Sequence, residues 1–407
     1  VETKLLPGEF VLRFDYKEKE TSTPYPSEKF IFAYKQNLEL WVVPMFSNNP
    51  DSTYFQPEEL ENRTFAEFSQ ENALKREKLG VLQNFLMSYD DTGSKLFREA
   101  IDEYEKRRVD YNDWLKERAE FDKDLFVSNL YDFQHVVKIP WEGSEEDRLI
   151  SLIDHYFDGM DFADSLIIKT ADINKWMDNY VNLYGQLVTT TAMRDSLFPL
   201  AGKTAIEKAK TGHPLVYGWM VDYFYRGYEV NGIDAGIKIL EPYLNDPNCL
   251  TTKQQEISRR LEGIKTLVAG SKAPDISLTD SEGKAFNLYT ENPGTPYTLI
   301  LFWSADCEHC ESMIANFHPW QQQPENSKKV SVVAVSLDET ETETAAWKVK
   351  IKGLVGWRHM LAPEGVRSQA AYDYYVLATP VMILIDSKTK NIISLPGGME
   401  ELKAAVE

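Results

Sequence analysis

The spacing of hydrophobic residues changes twice along the chain, and each change marks a different kind of structure. Phe10, Leu12, Phe14 and Tyr16 alternate with polar residues, and so do Leu38, Leu40 and Val42, with the turn-rich Thr21–Ser27 between them. A two-residue period predicts half-buried strands. Asn48-Asn49-Pro50-Asp51 closes this stretch, giving a small β module over residues 1–56.

From Pro57 the period becomes helical. Phe97, Ile101, Tyr104, Tyr111 and Leu115 recur at helical spacing in a segment dense in Lys, Arg, Asp and Glu, which predicts a long amphipathic helix with one solvated face. Ser144 and Asp147 form a capping pair ahead of Leu149, Ile150, Ile153 and Phe157. Ile173, Trp176, Met177, Tyr180, Val181 and Tyr184 make the best-patterned helix, which Gly185 is expected to stop. Val216, Trp219, Met220, Tyr223 and Phe224 form another stripe, and Ile257, Leu261, Ile264 and Val268 the last. Residues 57–270 therefore read as a mostly α-helical domain whose aromatic stripes are core.

After Gly270-Ser271-Lys272-Ala273-Pro274-Asp275, strands and helices alternate over residues 271–407, the mark of an α/β sheet. A hairpin turns at Asp280–Gly283. Strand Tyr297–Trp303, a helix from Cys307, strand Val330–Ser336 and a helix near Glu341–Ile351 follow. Gly353–Tyr375 is less regular. Strand Val381–Asp386, strand Asn391–Ser394 and a helix through Val406 complete the chain.

Composition narrows the chemistry. A net charge of −20 argues against nucleic-acid backbones and anionic membrane surfaces as partners. No apolar run approaches the roughly 18 residues of a membrane span. The chain starts at Val1 without the n-region or h-region of a signal peptide, the pattern of a chain trimmed of any export signal or lipid anchor. Three cysteines are too few for a disulfide framework, and Cys249 is expected to be a small buried apolar residue. Asp158, Asp161 and Asp164 lack the alternating ligand spacing of a calcium loop. His135, His155 and His213 show no metal-ligand spacing.

Phe302-Trp303-Ser304-Ala305-Asp306-Cys307-Glu308-His309-Cys310 holds the chemistry. Two cysteines separated by two residues, at a strand-to-helix junction, form a redox-active dithiol. The helix start supplies free N–H groups and a positive dipole end, and both favour thiolate. Cys307 is the expected exposed nucleophile, and Cys310, one turn in, the more buried resolving thiol. His309, when protonated, supports the thiolate and Glu308 opposes it. Zinc binding by Cys307, Cys310 and His309 lacks a second ligand pair.

This order of elements resembles the thioredoxin fold. Trp303, four residues before Cys307, stands where that superfamily keeps a tryptophan, and Ala378-Thr379-Pro380 where it keeps its cis-proline. Ala273-Pro274-Asp275 and the hairpin after it resemble the extracytoplasmic TlpA-like branch. The resemblance covers residues 271–407. It implies a mixed sheet flanked by helices, a Cys307–Cys310 redox disulfide in place of a bound cofactor, and a Thr379 backbone that Pro380 holds toward the substrate. The Asp154–Ser165 loop and the Ile173–Tyr184 helix are similar to those of two-part thioredoxin-like proteins of anaerobic Gram-negative gut bacteria. Two positions depart from the pattern. Leu301 stands six residues before Cys307, where many thioredoxins bury an acid, and Met313 stands where the TlpA-like branch often carries Glu. Glu311, beside the dithiol, is expected to be solvated, and His318 to be structural.

The resemblance implies a thiol–disulfide oxidoreductase that reduces disulfides of exported proteins with electrons from an unidentified donor. Its location would be extracytoplasmic, periplasmic or lipid-anchored, with the helical region as a docking surface or a homodimer contact. Three other functions compete. One is a disulfide oxidase, toward which His309 pulls. Another is a partner-binding protein whose thioredoxin-like domain is a scaffold or redox sensor. The third is a peroxidase, for which Ser304 has the right spacing to Cys307 but the wrong context.

Overall fold

The structure, a computed structural model, describes residues 6–17, 19–20, 23, 25–42 and 53–407. Asn48–Asp51 and part of Thr21–Ser27 lie outside the described residues. The chain divides into two compact units: Val1–Gly227 with Pro242–Thr252, and Tyr228–Glu241 with Lys253–Glu407.

The first unit opens with β1 (Gly8–Tyr16) and β2 (Tyr25–Ala33), an antiparallel pair in which Gly8 faces Ala33. β3 (Leu40–Val42) and β4 (Thr53–Phe55) form a second small hairpin. β2 and β4 are strands that the alternation did not single out. Tyr25–Ser27, read as turn-rich, opens β2, whose apolar residues Phe30–Ala33 are consecutive and do not alternate. Helices α1 (Glu61–Ser88) and α2 (Lys95–Phe121) follow, and their facing stripes bury Phe68, Leu79, Leu86, Phe97, Tyr104, Tyr111 and Leu115.

Next come α3 (Glu145–Asp154), α4 (Asp172–Leu187), α5 (Thr191–Ala209) and α6 (Pro214–Val230). Ser144 and Asp147 cap α3 reciprocally: the Asp147 N–H donates to Ser144 Oγ (3.1 Å) and the Ser144 N–H to Asp147 Oδ2 (2.8 Å). α4 runs past Gly185 by two residues. Gly185 lies in the last turn, where its carbonyl accepts the Val188 N–H, so it does not end the helix.

The second unit contains α7 (Asp234–Ile239), the start of α8 (Glu241–Leu244), and α9 (Gln254–Thr266) ahead of the sheet. α9 is seated by close approach, since a Cβ on Gly263 would come within 2.8 Å of Tyr375 Cβ. Arg259 also donates to the Ala371 carbonyl (3.0 Å) and lies over the Tyr372 ring.

β5 (Ser277–Thr279) and β6 (Ala285–Asn287) make the hairpin. The remaining elements are β7 (Tyr297–Trp303), α10 (Glu308–Gln321), α11 (Pro324–Ser327), β8 (Val330–Ser336), α12 (Glu341–Lys350), β9 (Arg358–Leu361), α13 (Gln369–Asp373), β10 (Val381–Asp386), β11 (Ile392–Ser394) and α14 (Met399–Val406). The sheet order is β11-β10-β7-β8-β9, with β7, β8 and β9 parallel and β10 and β11 antiparallel. β9 falls inside the stretch read as irregular. It is only four residues long, Arg-His-Met-Leu, and shows no apolar alternation.

Both sheet faces are covered, so the central strands are continuously apolar. Ile300, Phe302, Val333, Val335, Ile383 and Ile385 point to one core. Leu299, Leu301, Trp303, Val332, Ala334, Met382 and Leu384 point to the other, under α10 and α14. The result is a thioredoxin-like domain: a mixed sheet flanked by helices, preceded by helical structure and small N-terminal strands. Among the described residues no helix is long and apolar enough to cross a membrane.

Candidate active site

Strand register decides which loops meet. Trp303, the last residue of β7, pairs with Ser336, the last of β8, and Phe302 pairs with Val381, the first of β10. The segments just beyond, Ser304–Cys307, Leu337–Asp338 and Thr379–Pro380, therefore converge at one end of the sheet. Ligand and reaction sites in open α/β sheets favour this end.

Cys307 is the N-cap of α10, so the helix begins one residue later than expected, at Glu308. The Cys310 N–H donates to Cys307 Sγ at 3.0 Å, the contact a Ser or Asp cap makes through oxygen. The geometry thus aims a free helix N–H at the sulfur, with the positive end of the helix dipole behind it. Cys307 is half-buried, Cys310 is fully buried, and the two are joined in a disulfide. The Thr379–Pro380 peptide is cis, and the Thr379 carbonyl oxygen lies 3.5 Å from Cys307 Sγ. Trp303 is buried beneath the loop. Glu308 and His309 point to solvent.

Leu301 is fully buried in the core that contains Ala334, Cys310 and Met382, and Met313 packs against the same cluster. Both positions are apolar in surroundings as well as in identity. Glu311 is solvated but not free, because Lys350 Nζ lies 3.3 Å from its Oε2. His318 Nε2 contacts the Val355 carbonyl at 3.2 Å and the ring sits edge-on to Trp357, a structural role.

Two further residues hold the dithiol loop. Asp338, 2% exposed just past β8, accepts from Ser304 Oγ (2.6 Å), the Ala305 N–H (2.9 Å) and Ser336 Oγ (2.5 Å). Lys350, the last residue of α12, donates to the Ala305 carbonyl at 2.8 Å. Sequence reasoning missed both. The available signal was the parallel pairing of the two apolar strands, which places a residue two past the end of one beside the loop after the other.

The other sequence candidates lie elsewhere and are occupied locally. Asp158 pairs with His155 (2.8 Å), the Asp161 carboxylate takes the Ala163 N–H, and that of Asp164 takes the Leu166 N–H. The His135 ring fills the space beside Gly159, whose φ of +80° suits glycine and where a Cβ would come within 2.5 Å of Nδ1. His213 Nδ1 accepts the Leu215 N–H at the start of α6. Among the described residues no group of three His, Cys, Asp or Glu side chains is arranged to hold a metal. A cavity of about 570 Å³ opens at the opposite end of β7 and β8, lined by Thr298, Ser331, Arg358 and Lys390, away from the dithiol.

Residues 269–392 match the AhpC/TSA family. No curated protein matches the chain. Among solved structures, a thioredoxin-like protein from Bacteroides caccae is 19% identical, with 67% of this chain and 97% of that one covered and a TM-score of 0.46. A thiol-disulfide oxidoreductase from Bacteroides fragilis is 24% identical, covering 33% and 96% with a TM-score of 0.29. A thiol:disulfide interchange protein from a Bacteroides species is 24% identical, covering 35% and 90% with a TM-score of 0.30. The dithiol lies in the thioredoxin-like domain, within the residues that match the AhpC/TSA family.

Proposed function

We propose that this chain, through its thioredoxin-like domain, reduces disulfides of other proteins outside the cytoplasm, with Cys307 as nucleophile and Cys310 as resolving thiol. The observation that carries this reading is the placement of Cys307. Its sulfur is half-exposed at a helix start, receives one helix N–H, and lies beside the backbone of Thr379. An extended substrate segment laid along Thr379 would put its own disulfide within reach of that sulfur.

The reduced pair starts the cycle. The Cys307 thiolate attacks one sulfur of the substrate disulfide, forms a mixed disulfide and releases the other sulfur as a thiolate, which takes up a proton. Cys310 then loses its proton, attacks Cys307 Sγ, closes the Cys307–Cys310 disulfide and releases the second substrate thiol. Two electrons pass to the substrate, whose two sulfurs take up one proton given up by Cys310 and one from solvent, and an external dithiol restores the pair. With Leu301 and Met313 in place of acids, the Cys310 proton leaves to water or to a substrate group.

The TlpA-like resemblance favours the reducing direction, and the reduction potential tests it. The pair is equilibrated in glutathione or dithiothreitol buffers and read by alkylation and mass shift. A value near the roughly −270 mV of thioredoxin fits a reductant, and one near about −120 mV an oxidase. In extracts, Cys310→Ser is expected to trap protein partners on Cys307, and Cys307→Ser none. A pair that never forms a disulfide, with no trapped partner, would overturn the enzymatic reading in favour of a binding protein.

A further inference from the structure

We infer that Asp338 and Lys350 are positioning residues that hold the Ala305 backbone, its N–H at one charge and its carbonyl at the other, and so set the thiolate stability and redox balance of Cys307–Cys310. This rests on the dithiol reading above. The Ala305 N–H donates to the Asp338 carboxylate (2.9 Å), and the Ala305 carbonyl accepts from Lys350 Nζ (2.8 Å). Ala305 is 1% exposed, so neither backbone group has water as an easy alternative. One residue, Asp306, separates it from Cys307, at most about 8 Å between Cα atoms.

The two holders differ in what they leave behind electrically. Both Asp338 oxygens act as acceptors, the pattern of an ionised carboxylate, and their donors are neutral: two hydroxyls and one peptide N–H. Its negative charge is buried beside the dithiol loop. A second negative charge on Cys307 is disfavoured there, which weakens the reduced form relative to the disulfide and makes the pair more reducing. Lys350 acts in the opposite sense, supporting the thiolate. Its effect is smaller, because its side chain is 38% exposed and already pairs with Glu311.

This opposition distinguishes charge from scaffolding. If the two residues only fixed the loop, removing either would loosen it in the same way. Charge predicts shifts of opposite sign.

Wild type, Asp338→Asn and Lys350→Met are equilibrated against glutathione buffers. The disulfide fraction is read by alkylation and mass shift, and Cys307 ionisation from the pH dependence of its alkylation. Asp338→Asn keeps an acceptor for the Ala305 N–H and removes the charge. It should shift the equilibrium toward the dithiol by about tenfold, roughly 30 mV for a two-electron couple. It should also lower the Cys307 pKa by about one unit. Lys350→Met should move both readings the other way by roughly two- to threefold, and salt should reduce that shift. Shifts of the same sign, or none in a cycling protein, would overturn the inference while leaving the proposed function intact. A wild-type pair that does not cycle would overturn both. If Asp338→Asn does not fold, the solvent-reaching Lys350→Met and Lys350→Glu carry the test, and an unchanged potential in both rejects the inference.

Discussion

Cys307 and Cys249 are the same side chain in two regions of the molecule, and their neighbours push them toward opposite chemistry. Cys307 caps α10 with a helix N–H on its sulfur, half-open to solvent beside Thr379. Cys249 lies in the loop after α8, in the helical unit. It is half-buried, not buried as expected; lost hydration still pushes its thiol up to about 11, a Thr251 backbone hydrogen bond opposes the rise, and the Asp222 and Asp246 carboxylates add to it. The helix start favours a thiolate at one sulfur, while lost hydration and two nearby carboxylates outweigh a single backbone donor at the other. The cysteine alone is thus no sign of a site; the groups facing the sulfur are.

Mutation should separate the two most sharply. Cys307→Ser is expected to abolish reduction of an added protein disulfide, measured as insulin reduction with dithiothreitol as donor. Cys249→Ala should keep the rate within about twofold, because a thiol outside the site contributes only packing. An equal loss in both variants would break the comparison. Labelling gives the next largest effect. With its pKa raised to about 11, the Cys249 thiol is ionised to about one part in a thousand at pH 8. The reduced protein treated with iodoacetamide at pH 8 should therefore label Cys307 at least about 100-fold faster. The Cys249 rate should climb about tenfold per pH unit between pH 8 and 10, since a raised pKa moves ionisation upward. Peptide mass spectrometry reads both rates, and equal labelling at pH 8 would remove the distinction.

The sequence made the dithiol legible because its signal is local. Cys307 and Cys310 are three positions apart, the apolar run Tyr297–Trp303 announces the strand before them, and the cap needs only the helix that follows. Thr379–Pro380 could be placed only through the thioredoxin resemblance, since its contact with Cys307 spans 72 residues. Asp338 and Lys350 were invisible for the same reason: their contacts with the loop span 33 and 45 residues and depend on strand register. Three strands were also missed, β4 being only three residues long. β2 starts inside a turn-like composition and β9 is four residues without alternation, so pairing partners rather than their own patterns hold them in place. Gly185 misled because an isolated glycine near a helix end lowers helix stability without ending the helix when the opposite face is well packed.

A second pair of like groups sharpens the comparison at a smaller scale. Glu61 and Asp338 are buried carboxylates, 3% and 2% exposed, and each accepts backbone N–H from a loop distant in sequence, two for Glu61 and one for Asp338. Glu61 takes those of Phe126 (3.0 Å) and Val127 (3.1 Å), at the start of a 3-10 turn in the helical unit. Glu61→Gln sets an amide NH₂ against one of these N–H groups, a mismatch of about 1–3 kcal/mol. Burial raises the Glu61 pKa above 4.5 and outweighs the two N–H bonds, which lower it. A raised carboxyl pKa means that the stability it contributes is full below the unfolded pKa and lost as pH rises through the folded one. Glutamine does not titrate, so the stability gap between wild type and Glu61→Gln should be widest near pH 4 and narrow toward pH 8. Urea unfolding followed by circular dichroism across that range measures the gap, and the Cys307–Cys310 potential of the same variant should not move. A gap that widens with pH would mean that the N–H bonds outweigh burial. A shifted potential would mean that the buried charge of the helical unit reaches the dithiol, and the separation of the two carboxylates by their loops would fail.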